Sequence, residues 1–319
     1  FKKKTRINLT ISMNNNNNTN NTNNTNKFLI YGANGWIGTQ FCNYLTSQNI
    51  TFFKGTQRLE NGEQLEDEIL NINPNNIIGF TGRTHGKIGD KVYSTIDYLE
   101  QDGKLLDNIK DNLYGPLNLS FICQRLNIHY TYLGTGCIFE YDEDHPYGEE
   151  INGFKENSLP NFYGSSYSIV KGFTDRLLKN FGNNVLNLRI RMPINSDNNP
   201  RNFITKITNY EKICSIPNSM TCLPDFFPII LDLITKNNTG TYNLTNPGLI
   251  SHNEILEMYK EIVDNDFKWN NFSMEDQNKI LAGKRSNNYL DTNKIEELYP
   301  DLLNIKDSIK KILENYIKD

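Results

Sequence analysis

Tyr167 and Lys171 stand four residues apart in the run Tyr-Ser-Ile-Val-Lys. On a helix that interval puts both side chains on one face. A free phenol keeps its proton up to a pH of about 10, too tightly for ready exchange at neutrality. An ammonium beside it favours the phenolate and eases release. The pair can therefore exchange a proton with the oxygen of a carbonyl that is being reduced. A second chemical element is Gly134-Thr135-Gly136-Cys137, which interrupts an apolar run that reads as a strand. Thr135 offers a hydroxyl to the same oxygen. Cys137 offers a thiol, which as thiolate can take the acidic proton on the carbon next to a carbonyl, or else is a small inert hydrophobe at a strand end. A partner on the other face of such a carbon would come from "PRNFITK", residues 200 to 206, where Arg201 and Lys206 follow the fifth strand. A lysine whose proton affinity is lowered can serve as an acid.

These groups need a frame. From Lys27 onward short apolar runs (KFLIY, ITFFK, NNIIGF, IHYTYLG, NVLNLRIR) alternate with helix-spaced stretches, of which "GKLLDNIKDNLYGPLNLSFICQRLN" reads as one long helix. That alternation predicts an α/β doubly wound parallel sheet with right-handed crossovers. The glycines Gly32, Gly35 and Gly38 fall between the first strand and first helix. Glycine there permits a tight turn and lets backbone N–H groups approach a pyrophosphate. Asn34, Trp36 and Ile37 share that loop. The expected domain pattern is 1–26 as an Asn-rich disordered tract, 27–191 as a dinucleotide-binding domain and 192–319 mainly as a smaller substrate lobe, with a strand near 240–246 returning to the sheet. Ser251 and Glu254 form a capping box before a helix in that lobe. Met13 reads as a candidate start, with residues 1–12 upstream of it.

Net charge of −4 and a pI near 5.7 give no basic footprint for nucleic acid. No apolar run reaches the roughly 18 residues of a membrane span. Five cysteines without zinc spacing or a paired CxxC fit a reducing compartment, and no apolar segment of a secretory signal precedes the tract, so the expected location is cytoplasmic. No metal site is expected.

The spacing Gly-x-x-Gly-x-x-Gly resembles that of the short-chain dehydrogenase/reductase superfamily. At the end of the second strand Arg58 stands where an acidic residue would bind the ribose 2′-hydroxyl of NAD. It either favours the 2′-phosphate of NADPH, making NADH the lesser expectation, or is a plain surface charge. Thr81, Gly82 and Arg83 occupy the turn that in this superfamily lies beside the adenosine. Asn112 resembles the helix asparagine that supports the active-site backbone, and Met192-Pro193 the segment that packs on the nicotinamide. His85 is either a cofactor or substrate contact or a loop histidine.

Over nearly everything from Lys27 on, the chain looks like the bifunctional nucleotide-sugar 3,5-epimerase/4-reductases of UDP-L-rhamnose synthesis. The segments "FLIYGANGWIG", "GCIFEYD", "GFKENSLPNFYGSSYSIVK", "NPRNFITKI" and "RSNNYLD" carry the resemblance. It implies that Thr135, Tyr167 and Lys171 form the reducing triad and that Cys137 and Lys206 form the epimerising pair. It further implies a nucleotide-sugar substrate, contacts from His85, Thr135, Asn202 and Arg285, and a separate 4,6-dehydratase to supply the ketosugar. Asn287 and Asn288 either bind the sugar nucleotide or cap the helix that follows. A homodimer is compatible with the pattern. The stretches 83–101 and 220–228 depart from the plant members, so UDP and dTDP both stay open as carrier. Two alternatives stand beside this reading: a plain dTDP-4-dehydrorhamnose reductase, which needs neither Cys137 nor Lys206, and a non-catalytic NADP-binding regulatory subunit like that of methionine adenosyltransferase.

Overall fold

The alternating pattern closes into one six-stranded parallel sheet. The computed structural model describes residues 26–317, so the Asn-rich tract and the candidate start at Met13 lie, apart from Asn26, outside the described residues. The strands in chain order are β1 (Phe28–Tyr31), β2 (Phe52–Lys54), β3 (Asn76–Gly79), β4 (Gly86–Ile88), β5 (Lys91–Tyr93), β6 (His129–Thr135), β7 (Val185–Ile190), β8 (Pro193–Ile194), β9 (Thr221–Cys222) and β10 (Gly240–Asn243). The main sheet runs β10-β7-β6-β3-β1-β2. Chain order reverses between β1 and β3, and a doubly wound sheet binds its ligand at such a switch point, outside the carboxyl ends of the strands.

β1, β3 and β7 are buried along their whole lengths, as expected when helices cover both faces. Alternate residues divide between two cores. Phe28, Ile30, Ile78, Leu186 and Leu188 face the helices Trp36–Ser47 and Leu223–Thr235. Leu29, Tyr31, Ile77, Tyr130 and Tyr132 face the helices Gly62–Ile72, Gly115–Leu126 and Ser166–Leu178.

Beyond residue 191 the chain does two things. It builds a lobe in which Ile204, Ile207, Ile255, Leu256, Ile309 and Ile312 pack around the small β8–β9 sheet. It also returns to the main sheet through the helix Leu223–Thr235 and through β10, which pairs in parallel with β7 from Gly240↔Leu186 to Asn243↔Arg189. The capping box of Ser251 and Glu254 opens the helix His252–Ile262.

The long helix expected over 103–127 is instead two α-helical pieces, Leu105–Ile109 and Gly115–Leu126, joined by a π-helical turn at Lys110–Tyr114. Pro116 explains the break: it has no N–H to continue the ladder. Wide turns of this kind gather at functional sites, and this one carries Asn112.

Candidate active site

The cleft opens at the switch point, and three tight approaches shape it. At Gly38 a Cβ would run into the carbonyl oxygen of Gly32, and Gly32 itself adopts φ +76 against the Phe80 backbone. The first helix can therefore start directly under the turn only with glycine at both places. At Gly136 a Cβ would lie 2.6 Å from Leu290 Cδ1 and 2.9 Å from Arg191 Cγ, which is why a glycine separates Thr135 from Cys137. Arg191, fully buried, anchors that turn: Nη1 donates to Gly136 O at 3.2 Å and to Ser286 Oγ at 3.0 Å, Nη2 to Ser286 O and Asn218 Oδ1, and Nε to Ser219 O. One guanidinium thus ties the strand end to the lobe segments 218–219 and 285–288. The next residue, Met192, has φ 40, a strained value that swings the chain from β7 towards β8.

A cavity of about 390 Å³ lies in this cleft, within the range of small-molecule sites. Thr135, Cys137, Tyr167, Lys171 and Lys206 all line it. The Cys137 N–H donates to Thr135 Oγ1 at 3.0 Å, and Thr135 also hydrogen-bonds Tyr167. Burial pushes the Tyr167 phenol well above its ordinary range, the Thr135 hydrogen bond opposing this. The expectation that Lys171 would draw the phenol down is therefore corrected. Lys171 donates instead to the buried hydroxyl of Tyr132, and burial lowers its own proton affinity to a pKa of about 8. Lys206 is shifted down as well, by burial and then by the like charges of Arg201 and Arg285.

Around the rim, His85 Nε2 lies 2.6 Å from an Arg201 guanidinium nitrogen, and burial with Arg201 and Arg83 lowers the imidazole's proton affinity. Arg285 is paired with Asp97, which also accepts from the N–H of Ala282 and Gly283. His85, Arg285 and Asn287 face the cavity, as do Gly35, Trp36, Ile37, Thr81, Gly82, Asn112 and Pro193. The hairpin β4–β5 leads into Ser94, Thr95 and Ile96, which also line it.

Other expected residues stand elsewhere. Asn202 is buried; its amide donates to the carbonyls of Asn195 and Asp197, and its oxygen caps Ile204 N–H. Asn288 is buried too, donating to Gly136 O and Phe139 O. Both expectations of direct substrate contact are corrected: neither residue lines the cavity, and both amide nitrogens are engaged with backbone and brace the loops around the cleft, while Asn288 Oδ1 is buried without a partner among the described residues. Nor does Asn288 cap the following helix, where no side-chain cap is made. Asn34 is exposed outside the cavity lining. Arg58 is more than half exposed and paired with Glu60 and Asp111; Asp111 also holds Arg83. Asn112 clamps the turn after β3, its Oδ1 accepting from Arg83 N–H and its Nδ2 donating to Arg83 O, each at 2.9 Å.

The residues fit a dinucleotide. The glycine turn forms a cradle that any Cβ would fill, and Thr81 Oγ1 is buried at the cavity wall without a partner. Sequence reasoning missed Tyr132, Asp97, the Trp36 Nε1–Asp197 Oδ2 hydrogen bond of 2.9 Å and the segment 94–96. The first two carry no motif; they reach the site only through packing.

Among the described residues no group of acidic, histidine and cysteine side chains could hold a metal, and no helix is long and apolar enough to cross a membrane. Comparison with known proteins places this geometry. The chain is 53% identical over 287 residues to uncharacterized protein L780 of Acanthamoeba polyphaga mimivirus, covering 90% of this chain and 97% of that one. A crystal structure described as the L780 UDP-rhamnose synthase from that virus superposes with a TM-score of 0.86 at 52% identity, over 91% and 99% of the two chains. The bifunctional dTDP-4-dehydrorhamnose 3,5-epimerase/dTDP-4-dehydrorhamnose reductase of Arabidopsis thaliana is 44% identical over 291 residues, 90% of this chain and 92% of that one. A dTDP-4-dehydrorhamnose reductase from Bacillus anthracis in complex with NADP shares the fold, with a TM-score of 0.73 at 20% identity over 92% and 98% of the chains. Residues 28–207 match the NAD-dependent epimerase/dehydratase family model, and the chain belongs to that family.

Proposed function

We propose that this enzyme epimerises C3 and C5 of a UDP-4-keto-6-deoxyglucose and then reduces C4 to give UDP-L-rhamnose. The carrying observation is that Cys137 and Lys206 line the same cavity as Thr135, Tyr167 and Lys171. The relatives named above as UDP-rhamnose synthase and as bifunctional epimerase/reductase support the same reading.

The chemistry follows from one ketone. Thr135 and Tyr167 hold the C4 oxygen, which makes the neighbouring C3 and C5 protons acidic. Cys137 and Lys206 remove and return those protons on opposite ring faces; burial and the like charges of Arg201 and Arg285 lower the proton affinity of Lys206, which eases release of its proton. NADPH, when bound along the glycine turn, supplies the hydride for C4. Tyr167, which burial keeps protonated, delivers a proton to the C4 oxygen. Lys171, donating to Tyr132, lines the same cavity as a buried cation. Trp36, Ile37, Thr81, Asn112 and Pro193 would hold the cofactor and His85, Arg201 and Arg285 the diphosphate. Arg58 would reach the 2′-phosphate by leaving Glu60 and Asp111.

The substrate would come from a separate 4,6-dehydratase. The Arabidopsis trifunctional proteins whose names include that activity are 44% identical to this chain, which spans 41% of their length. Five free cysteines suit a cytoplasmic setting. Exposed Phe121, Phe173 and Leu177, on two neighbouring helices, suit a face covered by a second copy.

The test is incubation of purified protein with UDP-4-keto-6-deoxyglucose in D2O, with and without NADPH. Deuterium should enter C3 and C5 without NADPH, UDP-rhamnose should form with it, and Cys137→Ala should lose the exchange. NADPH oxidation with no deuterium at either carbon would leave a plain reductase.

A further inference from the structure

A buried ammonium needs an acceptor, and the acceptor of Lys171 is an unexpected one. Lys171 is 5% exposed, on the helix Ser166–Leu178. Among the described residues its single hydrogen bond goes to the hydroxyl of Tyr132, and its Nζ lies 4.5 Å from the centroid of the same ring. Tyr132 is itself 1% exposed and sits on β6 three residues before Thr135. The other groups near Lys171 are engaged. Asp175, one turn along the helix, gives its carboxylate to Arg189 at 2.7 and 2.8 Å and to Asn187 at 2.7 Å. The Asn112 carbonyl accepts from Thr174 Oγ1 at 2.6 Å. Tyr167 turns to Thr135, and Cys137 lies across the cavity wall.

We infer that Tyr132 is a positioning residue of the reducing site: its hydroxyl and ring face hold the Lys171 ammonium in the cavity that Tyr167 also lines. The inference rests on reading Lys171 as part of that site. A hydrogen bond to the charged form of a group favours that form, and an aromatic face beneath a desolvated cation adds to it. Tyr132→Phe keeps the ring and removes the acceptor. Lys171 would then stay buried, with Asp175 still committed to Arg189 and nothing to replace the phenol oxygen. Loss of one hydrogen bond to a charged group amounts to about one pH unit, a tenfold fall in proton affinity.

The experiment is a pH titration by NMR of the full chain labelled with 13C-lysine, with the Lys171 signal identified by its loss in Lys171→Arg. Burial already brings this lysine to about 8. In Tyr132→Phe its midpoint should fall by about one unit, and the alkaline limb of ketosugar reduction should move down with it. A superimposable Lys171 titration overturns the proposal, as does a loss of reduction that is uniform with pH. Should Tyr132→Phe not fold, 3-fluorotyrosine at position 132 weakens the acceptor at nearly constant shape and must move the titration in the same sense. The titration uses neither substrate nor cofactor. If wild-type protein fails to reduce the ketosugar, the proposed function falls while the lysine signal still judges Tyr132.

Discussion

Replacing Arg191 by lysine should be costly although it keeps the charge. The guanidinium reaches five acceptors: Gly136 O, Ser219 O, Ser286 O, Ser286 Oγ and Asn218 Oδ1. An ammonium has three donors and no planar fork. At least two of these charge-assisted hydrogen bonds are then lost in a fully buried place, although Gly136 O, Ser286 Oγ and Asn218 Oδ1 keep Asn288 as a second donor. At roughly 1–3 kcal/mol for each, the loss is about 2–6 kcal/mol. Urea unfolding followed in parallel by fluorescence and circular dichroism would measure it, as a lower midpoint at unchanged slope. Arg191→Lys should also depress deuterium exchange and reduction together, because the Gly136 turn carries both Thr135 and Cys137. A stability change below about 0.5 kcal/mol, the ordinary level for an exposed site, would refute the hydrogen-bond accounting. Loss of one activity with full retention of the other would refute the shared anchor.

Three further outcomes follow from the cleft. Gly38→Ala should drive a methyl into the Gly32 carbonyl and weaken binding of the reduced nicotinamide dinucleotide by about tenfold or more, read by fluorescence titration. Thr135→Val should lower kcat for reduction by about 10²–10³, the usual cost of removing one donor to a developing oxyanion. Lys171→Met should raise stability while ending reduction: with the lysine's folded value near 8 against 10.5 unfolded, its charging cost of about 3 kcal/mol is fully present below pH 8 and fades as pH rises towards 10.5. The thermal gain of the variant should accordingly shrink between those pH values, and a gain independent of pH would count against the buried charge.

The strands were readable because their runs are short, apolar and bounded by turns; β1, β3, β6 and β7 lie where pattern reading puts them. The glycine turn and the Tyr167–Lys171 interval were readable because each is a local constraint on backbone or helix face. Three things were not readable. The helix Leu223–Thr235 contains Pro224 and Pro228, which mask an apolar stripe of Leu223, Phe226, Phe227, Ile230 and Leu233. Asn202 and Asn288 look like ligand contacts in sequence, since an amide gives no sign of whether it will meet a substrate or a backbone carbonyl. Tyr132 reads as one more residue of a buried strand, and only the packing of the helix above it brings Lys171 to its hydroxyl.

The return of β10 beside β7 bears on how the chain is made. Until Gly240–Asn243 leaves the ribosome, β7 is an open edge, and the faces of Leu186 and Leu188 wait for the helix Leu223–Thr235. Such an edge invites pairing with other chains, and domains generally fold as units during synthesis. A chain halted after residue 191 should aggregate, and the nascent protein is at its most vulnerable over the roughly fifty residues between the two strands.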